Sequence, residues 1–108
     1  MNDEKLNFSQ WNPTTAAPFL KEKEGLRLRA YKDIGGVWTI GYGHTGGVHA
    51  GQVIDLKTAN RILLDDIQNI AEELAPHIHV PVTQGQFVAL ISLAFNVGAP
   101  AVIRSRTV

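Results

Sequence analysis

The chain has 108 residues, of which 44% are hydrophobic and 19% charged, a composition typical of one soluble globular domain. Ten Lys and Arg residues balance ten Asp and Glu residues, so no net charge draws the chain to nucleic acid or to an anionic membrane. Cysteine is absent, which excludes disulfides and Cys-based zinc sites.

Residues 1–15 mix Asn, Asp, Ser, Gln and Pro, and they are predicted to form an N-terminal extension, either mobile or laid on the surface as a strap. Trp11 is its one expected anchor. A domain over residues 16–108 then opens with a short helix. Thr15 can cap this helix and Gly25 suits its end, which places Glu24 in the last turn.

The next segment, LRAYKDIGGVWTIGYGH, alternates apolar and polar residues and is interrupted by two glycines, which predicts a β-hairpin. Asp33 comes just before the turn and Thr39 just after it, on the returning strand. We therefore expect a small β lobe that needs other elements for its stability.

Two helices are predicted further along the chain. Asp55 caps the first, over residues 56–75, with one apolar face and a solvated face that carries Asp65 and Asp66. Thr83 and Gln86 form a capping box for the second, over residues 84–97, whose apolar composition predicts burial on more than one face. Residues 99–108 carry no clear helix or strand signal. The fold class is α+β.

Glu24 and Asp33 are the only acidic pair that frames a helix end and a hairpin. Glycosidic cleavage requires two carboxyl groups, one protonated to donate to the leaving oxygen and one ionised. Thr39 would lie near Asp33 and could hold a water molecule or a sugar hydroxyl. The ordinary alternative, in which both acids are surface residues at a helix end and a turn, remains open on this evidence.

The histidine pairs in HTGGVH and HIH raise the question of a metal site at His49, His77 or His79. No acidic or Cys partner stands at ligand spacing, so these residues are predicted to be loop histidines. We expect neither a metal nor a cofactor.

Three runs, Glu24–Arg27, Ala30–Asp33 and Trp38–Thr45, together resemble the phage-type lysozymes of glycoside hydrolase family 24. The later stretch PVTQGQFVALISLAFNVG resembles the buried helix of that family, so the resemblance covers about residues 16–98. It implies a lysozyme-like α+β fold with a small β-hairpin lobe and a helical lobe.

The resemblance implies a muramidase that cleaves peptidoglycan at the β-1,4 bond between N-acetylmuramic acid and N-acetylglucosamine. It assigns Glu24 as the general acid, Asp33 as the second catalytic carboxylate and Thr39 as the residue that orients the attacking water. An inverting enzyme separates the two carboxyl groups by roughly 6.5–9.5 Å and a retaining one by about 5–5.5 Å, and the sequence leaves both open.

Four further residues are candidates for substrate binding. The resemblance places His44 after the hairpin as a supporting residue that is hydrogen-bonded to its neighbours. Tyr31 and Tyr42 could line the groove or simply pack in the hairpin. Asn96 could contact sugar or cap the end of its helix.

In the family, several helices follow the run FNVG, whereas ten residues follow Gly98 here. This difference predicts a helical lobe that lacks most of its C-terminal helices, and self-association through an exposed apolar surface of helix 84–97. The alternatives are an inactive, truncated prophage remnant and a non-catalytic glycan-binding module.

The expected location follows from the N-terminus and from the apolar runs. No secretory signal precedes residue 15, and the longest apolar run, Phe87–Phe95, is too short to span a bilayer. A phage endolysin of this kind would be made in the host cytoplasm and would reach the cell wall after holin-type release. No membrane insertion is expected.

Overall fold

A computed structural model of the chain describes residues 4–105. The helices are α1 (Ala17–Glu24), α2 (Leu56–Leu74), α3 (Gln84–Val97) and α4 (Ala99–Ser105), and the strands are β1 (Lys5–Leu6), β2 (Arg27–Lys32), β3 (Trp38–Gly41) and β4 (Val82–Thr83). Short 3-10 turns cover Phe8–Gln10, Pro13–Ala16 and Ala75–His77. The chain forms two compact units: a hairpin unit, Ala17–Asp66, and a helical unit that combines the residues up to Ala16 with those from Ile67 onwards.

In the hairpin unit, β2 and β3 pair antiparallel, with Tyr31 opposite Thr39 and Lys32 opposite Trp38. Helix α1 ends where Gly25 adopts a positive φ of 72°, and the Gly25 N–H donates to the Lys21 carbonyl at 3.0 Å. A residue in the left-handed conformation after the last turn lets its N–H bind a free carbonyl at the helix end, and glycine adopts this conformation without steric strain. This ending places Glu24 at the junction between α1 and the hairpin.

Helix α2 begins as its cap predicts. The Thr58 N–H donates to Asp55 Oδ1 at 2.8 Å. Hydrogen bonding from Thr58, first by its side chain and then by its backbone, lowers the pKa of Asp55 from its ordinary value. The helix gives way to a 3-10 turn at Ala75, just before Pro76, because proline cannot continue the backbone hydrogen bonds.

In the helical unit, β1 pairs with β4, with Leu6 opposite Val82. The capping box of α3 is present: Thr83 Oγ1 accepts from the Gln86 N–H at 3.1 Å, and Gln86 Oε1 accepts from the Thr83 N–H at 2.9 Å. The helix ends at Gly98, which has a φ of 90°. Both boundaries confirm the prediction from the sequence.

The N-terminal segment is more firmly held than a single anchor predicts. Trp11 Nε1 donates to the Val82 carbonyl at 2.9 Å, so Trp11 is an anchor as expected. However, Phe8 is only 2% exposed, and its ring centroid lies 4.8 Å from that of Phe87. The expectation of a single anchor is wrong, because one apolar residue among polar ones has no periodicity that would mark it as buried. Residues 1–3 lie outside the described part of the chain.

The stretch after Gly98 has no clear helix signal in the sequence, yet Ala99–Ser105 form α4. Seven residues are too few for a helix that is stable by itself. Ala99 and Val102, three residues apart, are 4% and 2% exposed, and α4 packs on α3. Pro100 lies in the first turn, where its missing N–H is tolerated. Tertiary burial therefore stabilises a helix with little local signal, and residues 106–108 lie outside the described range.

Helix α3 is buried on one side only, so the prediction of burial on more than one face is wrong. Phe87 and Ile91 are 0% exposed, whereas Leu93 and Val97 are 46% and 50% exposed. Beside α3, an apolar groove of about 670 Å³ is lined by residues of the 78–82 segment, among them Ile78 and Val80, and by helix residues that include Leu90 and Leu93. Self-association through this surface stays a prediction.

Among the described residues, no single helix has both the length and the apolar composition of a membrane span. Within residues 4–105, one pair of helices, Gln84–Val97 and Ala99–Ser105, reaches that length and composition together, but it is bent by 116° at its break.

Candidate active site

The predicted catalytic residues Glu24, Asp33 and Thr39 all lie in the hairpin unit. Glu24 is the last residue of α1 and is half-buried. Its position follows directly from the local sequence, because Gly25 ends the helix one residue later. The carboxyl group therefore stands on a fixed helix end.

Asp33 lies at the start of the hairpin turn and is exposed. Its backbone closes the turn, since the Asp33 N–H donates to the Val37 carbonyl at 3.0 Å and the Gly36 N–H donates to the Asp33 carbonyl at 2.9 Å. Its side chain is also engaged, because Oδ1 accepts from the Val37 N–H at 2.9 Å. One carboxylate oxygen of Asp33 is thus anchored by the turn.

Thr39 lies on β3 and is 4% exposed. Its hydroxyl donates to the Val37 carbonyl at 3.0 Å. Asp33 and Thr39 therefore meet at a single residue, because one binds the N–H of Val37 and the other its carbonyl. The sequence predicts that Thr39 lies near Asp33, and in the structure the two side chains share Val37 as a backbone partner.

The two candidate tyrosines differ in their exposure. Tyr31 is half-buried opposite Thr39, and the Arg27 guanidinium lies 4.7 Å from its ring centroid. Tyr42 is only 8% exposed, and the Lys21 ammonium lies 5.7 Å from its ring centroid. The burial of Tyr42 favours the packing role, whereas Tyr31 keeps a surface that a sugar could contact.

His44 is hydrogen-bonded on both ring nitrogens. Nδ1 lies 2.7 Å from Asp66 Oδ2, and Nε2 lies 2.8 Å from the Gly46 carbonyl. A carboxylate and a carbonyl can only accept, and a neutral imidazole carries one N–H, so the tautomer decides which of the two contacts the ring donates. The backbone of His44 also exchanges two hydrogen bonds of 2.9 Å with Ile40, the residue after Thr39. The histidine thereby ties the end of the hairpin to α2, as the expected supporting contacts require.

Asp66 is the residue that the sequence interpretation missed. It was expected on the solvated face of α2, but its side chain is only 24% exposed, equal to that of His44. The pattern of apolar residues marks one face of a helix as buried and leaves the neighbouring positions undecided. Twenty-two residues separate the two partners, so no local motif connects them.

Asn96 is exposed near the C-terminal end of α3, in the helical unit, and its role stays a prediction. His77 and His79 are exposed, and His49 Nδ1 lies 3.2 Å from the Ala50 carbonyl. Across residues 4–105, no group of three His, Cys, Asp or Glu side chains is arranged to hold a metal ion.

Comparisons with known proteins identify relatives of this chain. The family model of phage lysozyme matches residues 21–108. An endolysin of Acyrthosiphon pisum secondary endosymbiont phage 1 is 45% identical over 82 residues, which cover 76% of this chain and 56% of the endolysin. The chain thus spans little more than half the length of this curated relative.

Solved structures agree with the match. The endolysin from Escherichia coli O157:H7 phage FAHEc1 has a TM-score of 0.70 and 37% identity, over 81% of this chain and 58% of that one. The muramidase domain of SpmX from Asticaccaulis excentricus has a TM-score of 0.73 and 37% identity, over 82% of this chain and 60% of that one. The predicted α+β, lysozyme-like fold is confirmed, and the chain belongs to the phage lysozyme family.

Proposed function

We propose that the protein hydrolyses peptidoglycan as a muramidase, cutting the β-1,4 bond between N-acetylmuramic acid and N-acetylglucosamine. The observation that carries the proposal is the anchored carboxylate of Asp33, with Glu24 on a fixed helix end in the same unit. Family membership and the likeness to a muramidase domain support the substrate class.

In this mechanism Glu24 donates its proton to the glycosidic oxygen as the bond to the anomeric carbon breaks. Asp33 supplies the negative charge that the oxocarbenium-like transition state requires. Its Oδ1 is occupied by the Val37 N–H, so Oδ2 either attacks the anomeric carbon or takes a proton from the attacking water. Water then supplies the hydroxyl group of the new reducing end. If Asp33 attacks the anomeric carbon, Glu24 takes the proton of this water and is ready for the next cycle. If Asp33 activates the water instead, Asp33 takes the proton and releases it to solvent, from which Glu24 is reprotonated.

Thr39 is assigned to orient the attacking water. Its hydroxyl donates its proton to Val37, which leaves its lone pairs to accept from a water molecule. Because Thr39 is 4% exposed, this function requires a water bound against the hairpin itself. Thr39→Val, which removes the hydroxyl at similar volume, should lower kcat more than Thr39→Ser, which keeps it. Equal rates for the two variants would remove Thr39 from the mechanism.

The main test is lysis of purified cell walls by the chain as given, beside Glu24→Gln and Asp33→Asn. Loss of the general acid should lower the rate by about 10²–10⁴-fold. Glu22→Gln is the matched control, since Glu22 is an exposed acid of the same helix. Mass spectrometry of the fragments should show N-acetylmuramic acid at the new reducing ends, and NMR of the first-formed anomer distinguishes inversion from retention.

Two outcomes would contradict the proposal. A folded wild-type chain that binds walls without releasing fragments would favour a glycan-binding module, and a chain that neither folds nor binds would favour a remnant. Full activity of Glu24→Gln would overturn the assignment of the acid. Synthesis in the host cytoplasm and access to the wall through a holin-type lesion complete the proposal, and wall lysis only after membrane permeabilisation would support them.

A further inference from the structure

A small pocket of about 150 Å³ lies in the helical unit, between the N-terminal segment and α2. We call it the strap pocket, and it is lined by Phe8, Ser9, Trp11, Pro13, Gln68, Ala71, Glu72 and Ala75. None of the predicted catalytic residues belongs to it. Its lining combines two aromatic rings, an amide and a carboxylate with two alanines.

The ring of Trp11 is held in place in this pocket. Its Nε1 donates to the Val82 carbonyl at 2.9 Å, and its centroid lies 6.4 Å from that of Phe87. The side chain is nevertheless half-exposed. A fixed and partly open aromatic face binds an apolar surface without first losing side-chain freedom.

The polar wall of the pocket is also preorganised. Gln68 Nε2 donates to Glu72 Oε2 at 2.9 Å, across one turn of α2. This bond leaves Glu72 Oε1, Gln68 Oε1 and the second amide N–H to bind a ligand. Ala71 of α2 and Ala75 of the 3-10 turn that follows it also line the pocket, with small side chains. Paired acceptors and a donor beside an aromatic face match the hydroxyl groups and the C–H face of a sugar ring.

Size and charge narrow the ligand further. At about 30 Å³ per water molecule, 150 Å³ corresponds to roughly five waters, which is half the lower limit of about 300 Å³ for small-molecule pockets. The pocket therefore suits one ring of a polymer. Glu72 is followed by Glu73, so the local charge disfavours anionic ligands such as phosphates.

From these features we infer that the strap pocket binds one neutral N-acetylhexosamine ring of a glycan strand, as an anchoring site separate from the catalytic residues. The choice of sugar rests on the proposed function, whereas binding itself requires no catalysis. A second contact with the same polymer raises the effective concentration of the wall at the protein surface. The site would thus increase retention on the wall more than the rate of bond cleavage.

The test uses the full chain with Glu24→Gln, which prevents cleavage, and Trp38→Phe, which leaves Trp11 as the only tryptophan. Titration with the β-1,4 trimer of N-acetylglucosamine should change Trp11 emission saturably, with a Kd of about 1–10 mM. Inorganic phosphate should cause no saturable change. Replacing both Gln68 and Glu72 with alanine should weaken binding at least about tenfold, with circular dichroism confirming the fold.

Glu73→Ala is the matched control, because Glu73 neighbours Glu72 but does not line the pocket. An emission that does not respond to the trimer, or an unchanged Kd in the Gln68 and Glu72 double variant, would overturn the inference. These results are independent of the proposed function. If the wild-type chain lyses walls but Trp11 emission does not respond to the trimer, only the inference of a strap site is contradicted. If Trp11 responds but walls are not lysed, only the proposed muramidase activity is contradicted.

Discussion

Removing the contact between His44 and Asp66 is expected to destabilise the protein measurably. The two side chains lie 2.7 Å apart and each is 24% exposed. Exposed ion pairs contribute about 0.2–1 kcal/mol, and breaking a fully buried pair costs about 3–5 kcal/mol. Three-quarters burial on both sides places the expected coupling between these limits, at about 1–2 kcal/mol.

The assay is a double-mutant cycle on the free energy of unfolding, with His44→Gln, Asp66→Asn and the double variant. A coupling of this size corresponds to a change in Tm of about 5–10 °C in a domain of about 100 residues. Asp65→Asn is the control, since Asp65 is an exposed neighbour on α2 and its loss should change stability by less than about 0.5 kcal/mol. A coupling below about 0.3 kcal/mol would refute this reasoning, because the two side chains would then contribute to stability independently of each other.

Three further predictions concern the caps and the packing. The pKa of Asp55 is lowered in the folded state, so the stability that the wild-type chain gains over Asp55→Asn should be constant above about pH 3.8 and should fall at lower pH. A stability difference that stays constant down to about pH 2.5 would contradict the role of Asp55 as a cap. Phe8→Ala should cost about 3–5 kcal/mol in chemical denaturation because Phe8 is 2% exposed, and Ser9→Ala should be nearly neutral. If the exposed side of α3 mediates self-association, sedimentation should show a dimer that Leu93→Glu dissociates, and a monomeric wild-type chain would end that prediction.

The candidate active site shows which functional features short-range sequence signals can define. Gly25 ends α1 and so places Glu24, and the turn residues place Asp33 at the start of the hairpin turn. Each of these signals acts within a few residues, so the sequence alone predicts their outcome. The register of the hairpin is less local, because the pairing is irregular between Arg27 and Tyr31. The sequence does not predict that Asp33 and Thr39 both bind Val37, because this depends on which backbone groups of the turn are left without a backbone partner.

The residues that the sequence misplaced all depend on packing or pairing with another segment of the chain. Phe8 packs on Phe87, Asp66 pairs with His44, and Ala99 and Val102 are buried within a helix of only seven residues. A single apolar or acidic residue forms no periodic pattern from which burial could be predicted. A helix of seven residues has too few internal hydrogen bonds and too short a pattern to be predicted from its own sequence.

The sequence by itself determined the caps of α2 and α3, the hairpin, the lysozyme-like motif and hence the family, because each depends on neighbouring residues. The prediction that Thr15 caps α1 is wrong, because Thr15 lies in the 3-10 turn before the helix and its hydroxyl donates to the Asn12 carbonyl at 2.8 Å. Only the tertiary structure decided that the N-terminal segment is part of the packed helical unit, that Asp66 supports His44 and that the chain after Gly98 is helical. The physical reason is that burial and pairing draw their free energy from contacts that exist only after distant segments have met.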